Sequence, residues 1–510
     1  MPERSCSVCQ APLPPGQDSC GNCAPPTAPP PAAAPGLGAS AATWWLRNWL
    51  SALVLTLLAS ATVCLLLSVD VTATRRILIE SLNRLVVYLN QPNAPAGAGL
   101  AGTVALGADS DHGAAVDFGP IKIGSHSTTA VSVTILTAGV LDTVSVVTQG
   151  VADLDFTNAG SGTCTPGVFY PVNSTCTVNV TFSPKLSGAR YGAVVLQDAA
   201  EEAMKTRHIP MATGYLTGVG KGAQPIRSES PILRIGTGWI LPWGIELDSA
   251  GNIYVANYPR EPYESGGSVI RETPVAGGYR QTTIGSGFVG PSGIAVDGAG
   301  NIYVADASLQ IIFRETPYQD GYVQSQIPAP GLGWPLAVAV DAGGNVYVTD
   351  GPNRRVLKES LFAGQYRQTS IPTSLEYPIG LAVDRVGNIY AANGDVVKET
   401  LEGATYRESK IATGYGGVKG RGAELTIDPE GNLLIAATAQ NQIIMLPAQG
   451  DSFGRPIVLA SVSHPFAVDS STSGDLFYTT DIPGDVGLWR MPIPAPGHDP
   501  NDNPANHPRR

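Results

Sequence analysis

The chain has 510 residues, of which 43% are hydrophobic and 14% charged, with a formal net charge of −11 and a pI near 5.1. That acidic balance, with no stripe of clustered Lys and Arg, excludes a protein that grips a nucleic-acid backbone. The 59 glycines and 42 prolines point to many turns, and the length to more than one domain, so a mainly β chain is expected.

Residues 1–25 hold Cys6, Cys9, Cys20 and Cys23, two CxxC pairs ten residues apart. Four thiolates on two short turns can close a tetrahedron around a structural zinc; the competing reading is two disulfides or idle thiols. With no His and no open position, catalytic use is not expected. The segment resembles the short zinc ribbons at the start of many bacterial membrane proteins. Residues 26–43 are a Pro/Ala linker, stiff and coreless.

Residues 44–70 are predicted to span a membrane. The run 50–69 has twenty residues without a charge, enough at 1.5 Å per residue for a ~30 Å hydrocarbon core. Trp44, Trp45 and Trp49 precede it as an interfacial anchor. A cleaved signal peptide fits less well, because the run is long and begins about fifty residues into the chain. Arg4 and Arg47 before the span are outnumbered by Arg75, Arg76 and Arg84 after it, so charge counting favours the C-terminal side inside. The zinc thiolates suit a reducing cytosol and Cys164 with Cys176 suits an exported disulfide, and these two arguments favour the opposite orientation. The expectation is therefore a single-pass cell-membrane protein, N-terminus cytoplasmic and C-terminal part periplasmic or extracellular. Residues 71–107 read as a juxtamembrane helix, with Leu78, Leu82, Leu85, Val86 and Leu89 at helical spacing, and a hinge.

Residues 108–222 show alternating strands broken by turns, as in VDFGPIKIG and TCTVNVTFSP, and predict a β-sandwich. Asp117-Phe118-Gly119, the TCTVNVTFSP segment and the closing GYLTGVGKG resemble the immunoglobulin-like choice-of-anchor D domain, related to the ASPM/SPD-2/Hydin type. Cys164 and Cys176 flank a turn-rich loop and are expected to form a disulfide rather than two free thiols. His112, His126 and His208 have no convincing ligand neighbours.

Residues 231–497 are a repeat array. PWGIELDSAGNIYVANY at 242, PSGIAVDGAGNIYVADA at 291, PLAVAVDAGGNVYVTDG at 335 and PIGLAVDRVGNIYAANG at 378 are copies of one unit, with GAELTIDPEGNLLIAAT at 422 and PFAVDSSTSGDLFYTTD at 465 more divergent. The glycines at 251, 300, 344, 387, 431 and 474 recur every 43–49 residues. That period means a propeller, here of six blades. The last copy has three strands, so PILRIG at 231–236 is expected to supply its outer strand and close the ring. The copies resemble NHL-repeat propellers. Residues 498–510 read as a disordered tail.

Asp248, Asp297, Asp341, Asp384 and Asp428 each precede the repeated Gly by three. An Asp that opens a tight turn before a positive-φ Gly is scaffold. Departures from the repeat say more. Glu246 and Asp469 stand where another copy has Ala295, on blades one and six, which the ring makes neighbours. Two such carboxylates could hold a divalent cation in the channel or raise each other's pKa; polar groups facing a wet channel are the alternative. Each entry to an inner strand carries an aromatic residue, Trp243, Phe288, Trp334, Tyr377, Tyr415 or Phe466, and Trp239 adds another. With Arg260, Arg354 and Arg355 these could form a peptide- or glycan-binding face, or fill gaps between blades.

The leading expectation is a membrane-anchored binding or scaffold protein rather than an enzyme. The other is a metal-dependent hydrolase or lyase using His464, Glu246 and Asp469, which the resemblance to gluconolactonase-like and streptogramin-lyase-like propellers implies.

Overall fold

The computed structural model describes residues 115–198, 210–222, 232–259, 266–319, 321–362, 365–415, 424–482 and 484–492. All fall within the compact unit that runs from Leu100 to Arg510. The four N-terminal cysteines, the linker, the 44–70 span, the 71–107 segment, His112, His208, Arg260 and the tail lie outside the described residues. Among the described residues, no helix is long and apolar enough to cross a membrane.

The first described block is two sheets around one core. One sheet runs Val116–Lys122, Ala212–Lys221, Gly188–Asp198, Gly139–Thr148, Val151–Ala152, with Phe169–Tyr170 also on Gly139–Thr148. The other runs Ser127–Thr134, Thr175–Phe182, Phe156–Gly162. Strict alternation in TCTVNVTF turns Cys176, Val178, Val180 and Phe182 inward, as the period of two requires. They meet Val131, Val133, Phe156, Val194, Leu196 and Leu216 in one apolar cluster. Phe156 stacks on Phe182 with centroids 4.6 Å apart. Cys164 and Cys176 are joined in a disulfide.

The rest of the described chain is a propeller of six four-stranded antiparallel sheets. Blade one, for example, runs Leu241–Leu247, Ile253–Tyr258, Ser268–Val275, Gly278–Ile284 in sequence order. Blade six takes Pro465–Ser470, Asp475–Thr480 and Gly487–Pro492 from the end of the array and Leu233–Ile235 from its start. Leu233 pairs with Arg490 and Ile235 with Leu488, so the strand predicted from PILRIG closes the ring and covers the outer edge of Gly487–Pro492 with a three-residue edge strand. Inner strands Leu241–Leu247 and Pro465–Ser470 pack side by side across that junction.

The third strands carry a feature the repeat pattern did not single out. Glu272, Glu315, Glu359 and Glu399 sit at one register, opposite Ile253, Ile302, Val346 and Ile389, and none is more than 2% exposed. Gln324 and Gln368 donate to Glu315 and Glu359 at 2.7 Å, yet every one of the four keeps at least one oxygen without a hydrogen bond. Burial pushes the Glu359 carboxyl up to about 7. Burial, then the adjoining Glu408, pushes Glu399 up to about 8. The folded chain therefore holds these protons more tightly than the unfolded chain does. The stability they contribute is full below about pH 4.5 and is lost as pH rises through 7 to 8. Urea unfolding is expected to show a gain of about 1–3 kcal/mol on going from pH 8.5 to pH 6. The slope should flatten in the Glu359→Gln, Glu399→Gln double variant; an unchanged slope would assign the pH dependence to other groups.

Candidate functional site

The repeated turns come first because they position everything on the axis. Asp297 Oδ1 accepts the backbone N–H groups of Ala299 and Asn301 at 2.9 Å. Its Oδ2 accepts Asn301 Nδ2 at 2.7 Å and the Tyr303 hydroxyl at 3.0 Å. Gly300 takes φ 83° to let the chain reverse. Asp248, Asp341 and Asp384 repeat the pattern with their own Asn and Tyr. In blade five Asp428 has its Asn432 but a Leu where the Tyr would be. In blade six Ser471 replaces the Asp, accepting the Asp475 N–H at 3.0 Å. In blades one to four each carboxylate accepts four hydrogen bonds within the turn it builds.

The sandwich seats on this turn face. Tyr215 donates its hydroxyl to Asp297 Oδ2 at 2.8 Å and lies against Gly344. Ala189 N–H donates to the Pro429 carbonyl at 2.6 Å. Ser249 bonds Gln149, and Arg385 pairs with Asp117 at 2.9 Å. Tyr191 is within electrostatic reach of Glu246, Asp341 and Asp384, from blades one, three and four. The contacts reach turns of blades one to five, so the sandwich stands across that end of the channel.

The predicted pair Glu246 and Asp469 does come together on the axis. Both occupy the same register, opposite Tyr254 and Phe477, in a layer completed by Ala295, Ala339, Ala382 and Thr426. Asp469 accepts the N–H of Leu247 at 2.8 Å and of Ser470 at 2.7 Å, so its carboxylate bridges to the strand that carries Glu246. Burial, then the charge of Asp469, raises Glu246 well above the usual carboxylate range, while the Val296 N–H opposes the rise. Burial pushes Asp469 up to about 7. Among the described residues no three His, Cys, Asp or Glu side chains converge as a metal cage. His464 is not with them: its Nδ1 lies 3.2 Å from Asp481 Oδ1, on a side chain 42% exposed.

The open end of the channel is a second layer, one residue from each blade: Trp243, Ser292, Leu336, Ile379, Glu424 and Phe466. Trp243 stacks between Tyr258 and Phe466, with centroids 4.1 and 5.4 Å away. The space left is about 10 Å³, room for a single water-sized group. Glu424 escaped the sequence comparison, which followed the column of Ala295. Its own column reads Gly244, Gly293, Ala337, Gly380 and Ala467 in the other blades, and a carboxylate among glycines and alanines was the available signal.

The remaining predicted residues separate into plugs and surface. Phe288 is buried against Phe313. Trp239 packs on the Ile235–Ile245 cluster and donates its indole N–H to the Ile235 carbonyl. Tyr377 packs with Leu336 and Ile379, and Tyr415 with Leu425 and Ile435. Arg355 is held by Asp350 at 2.8 Å and by the Gly331 carbonyl. Trp334, 42% exposed, and Arg354 face solvent.

No family model matches the chain, and no curated protein matches it. Among solved structures it is similar to a streptogramin B lyase, at 14% identity over 48% of this chain and 77% of that one, TM-score 0.35. It is similar to virginiamycin B lyase from Staphylococcus aureus, at 13% identity over 52% and 88%, TM-score 0.36. It is also similar to a chain of the nidogen–laminin complex, at 23% identity over 43% and 84%, TM-score 0.35. At such scores none of them carries an argument about the chemistry of this chain.

Proposed function

We propose that the chain is a membrane-anchored, exported binding or scaffold protein, whose propeller offers the face opposite the sandwich to a protein, peptide or glycan ligand. The observation that carries this reading is the occupied channel. One end meets the sandwich at the turns of blades one to five, and the other is packed down to about 10 Å³. A metabolite-sized substrate needs a cavity of about 300 Å³ or more, whereas a rim with exposed Trp334 and Arg354 suits a macromolecular surface. The apolar run at 50–69 supports the anchor, and the Cys164–Cys176 disulfide supports export to an oxidising compartment. A structural zinc on Cys6, Cys9, Cys20 and Cys23 and immunoglobulin-like kinship of the sandwich belong to the same reading and rest on spacing and motif.

A second reading, a metal-dependent hydrolase or lyase, is favoured by Glu246 beside Asp469 on the axis. Crosslinked pull-down with the full-length chain in detergent separates the two. Capture of a partner is expected to fall about tenfold in the Trp334→Ala, Arg354→Ala double variant, as for the loss of about 1.4 kcal/mol at a contact residue. A divalent cation that co-purifies with the full chain and is lost on Glu246→Ala, with capture unaffected by the rim changes, would replace the binding reading with the enzymatic one.

A further inference from the structure

The geometry points to the open end of the channel as a pocket for a primary alkylammonium head, such as the tip of a lysine side chain on a bound partner, with Glu424 as its counter-ion. This deepens the binding reading above and rests on it.

The inner strands leave little room at this column. A Cβ on Gly244 would stand 2.6 Å from the Ser292 carbonyl oxygen, and one on Gly293 would stand 2.7 Å from the Ala337 Cα. Where four blades are restricted to Gly or Ala and a fifth to Ala467, blade five carries a full carboxylate and places it in the axial layer. Glu246 and Asp469 each take a backbone N–H from the next blade. Glu424 has no hydrogen bond or ion pair for its side chain among the described residues, and burial raises its carboxyl well above the usual range. A carboxylate without a partner among the described residues, in such surroundings, costs stability, and side chains of that kind persist where a ligand supplies a partner.

The lining says which ligand. Trp243, Leu336, Ile379 and Phe466 form apolar walls. The Ser292 hydroxyl already donates towards the Ala305 and Pro335 carbonyls at 3.0 Å, so it has only lone pairs to offer. A site of acceptors with apolar walls suits a group that only donates, and an ammonium has three donors and no acceptor. The space of about 10 Å³ takes a head the size of a water molecule, which a planar guanidinium exceeds. A calcium or magnesium ion would want about six oxygens, more than this layer presents.

The test is isothermal titration of the full-length chain in detergent with Nα-acetyl-lysine methylamide and with its norleucine analogue, which lacks the ammonium. The lysine probe is expected to bind at least tenfold tighter than the norleucine probe, and Glu424→Gln to abolish that difference. Glu424→Ala installs a residue type that other blades already carry. It should lose the probe while the melting temperature rises by about 2 °C, which separates a lost site from a lost fold. Equal binding of the two probes, or lysine binding unchanged in Glu424→Gln, overturns the inference. Failure here with partner capture still lost in the rim variant leaves the binding reading intact. Glu424-dependent lysine binding without any rim-dependent partner leaves the pocket and removes that reading.

Discussion

Arg190→Met is expected to destabilise the chain by about 3–5 kcal/mol, the penalty for orphaning one member of a buried ion pair. Arg190 Nε lies 3.0 Å from Asp155 Oδ2, with the two side chains 3% and 2% exposed. Asp155 uses its other oxygen on the Lys185 N–H at 2.7 Å, so methionine would leave Oδ2 facing apolar surroundings. Burial pulls the guanidinium below its usual value against the opposing fields of Asp155 and Glu430. The pair is therefore not a strong net source of stability: removing both charges with Asp155→Leu and Arg190→Met should cost much less than the single change. A double-mutant cycle by urea unfolding reads this directly, and a loss in the double variant equal to the sum of the two single losses would show that the pair is not coupled.

Asp297→Ala should cost about 3–5 kcal/mol, more than the same change at any other repeated turn. Its carboxylate accepts five hydrogen bonds, four inside the blade and one from Tyr215 of the sandwich, at a site 2% exposed. Asp384 accepts four, all within its own blade, and is less buried. Its alanine variant should lose about 1–2 kcal/mol. Tyr215→Phe removes the single bond across the seam and should account for about 1 kcal/mol of the difference. Equal losses at 297 and 384 would mean that the sandwich adds nothing to that turn.

Much of the propeller was legible because one turn chemistry recurs. Asp, Gly and their spacing mark each hairpin, and counting strands in the last copy identified the strand at 231–236 that closes the ring. The site was less legible. Glu246 and Asp469 were found because both replace the alanine of a single column. Glu424 lies in the copy whose entry is most divergent, and its neighbours on the axis are spread over more than two hundred residues. The entry aromatics could not be sorted from sequence, since a ring that fills the wedge between blades and a ring that faces a ligand occupy the same position. Phe288 and Phe466 are buried, while Trp334 is exposed. The third-strand glutamates at 272, 315, 359 and 399 were not singled out, because RETP and KETL carry no local mark that tells a buried Glu from an exposed one. Tyr215 carries no local mark at all, since what it touches is set by how two domains meet.

Blade six ties the start of the array to its end, with Leu233 paired to Arg490. This has a consequence for how the protein is made. The ring cannot shut until the strand ending at Pro492 has emerged. At about 5–20 residues per second, more than ten seconds pass between the two halves of that sheet. The sandwich is finished once Lys221 is out, and it meets turns from blades one through five. It can thus serve as a platform on which successive blades are collected in the order of their synthesis, holding an incomplete ring in register until its last strand arrives.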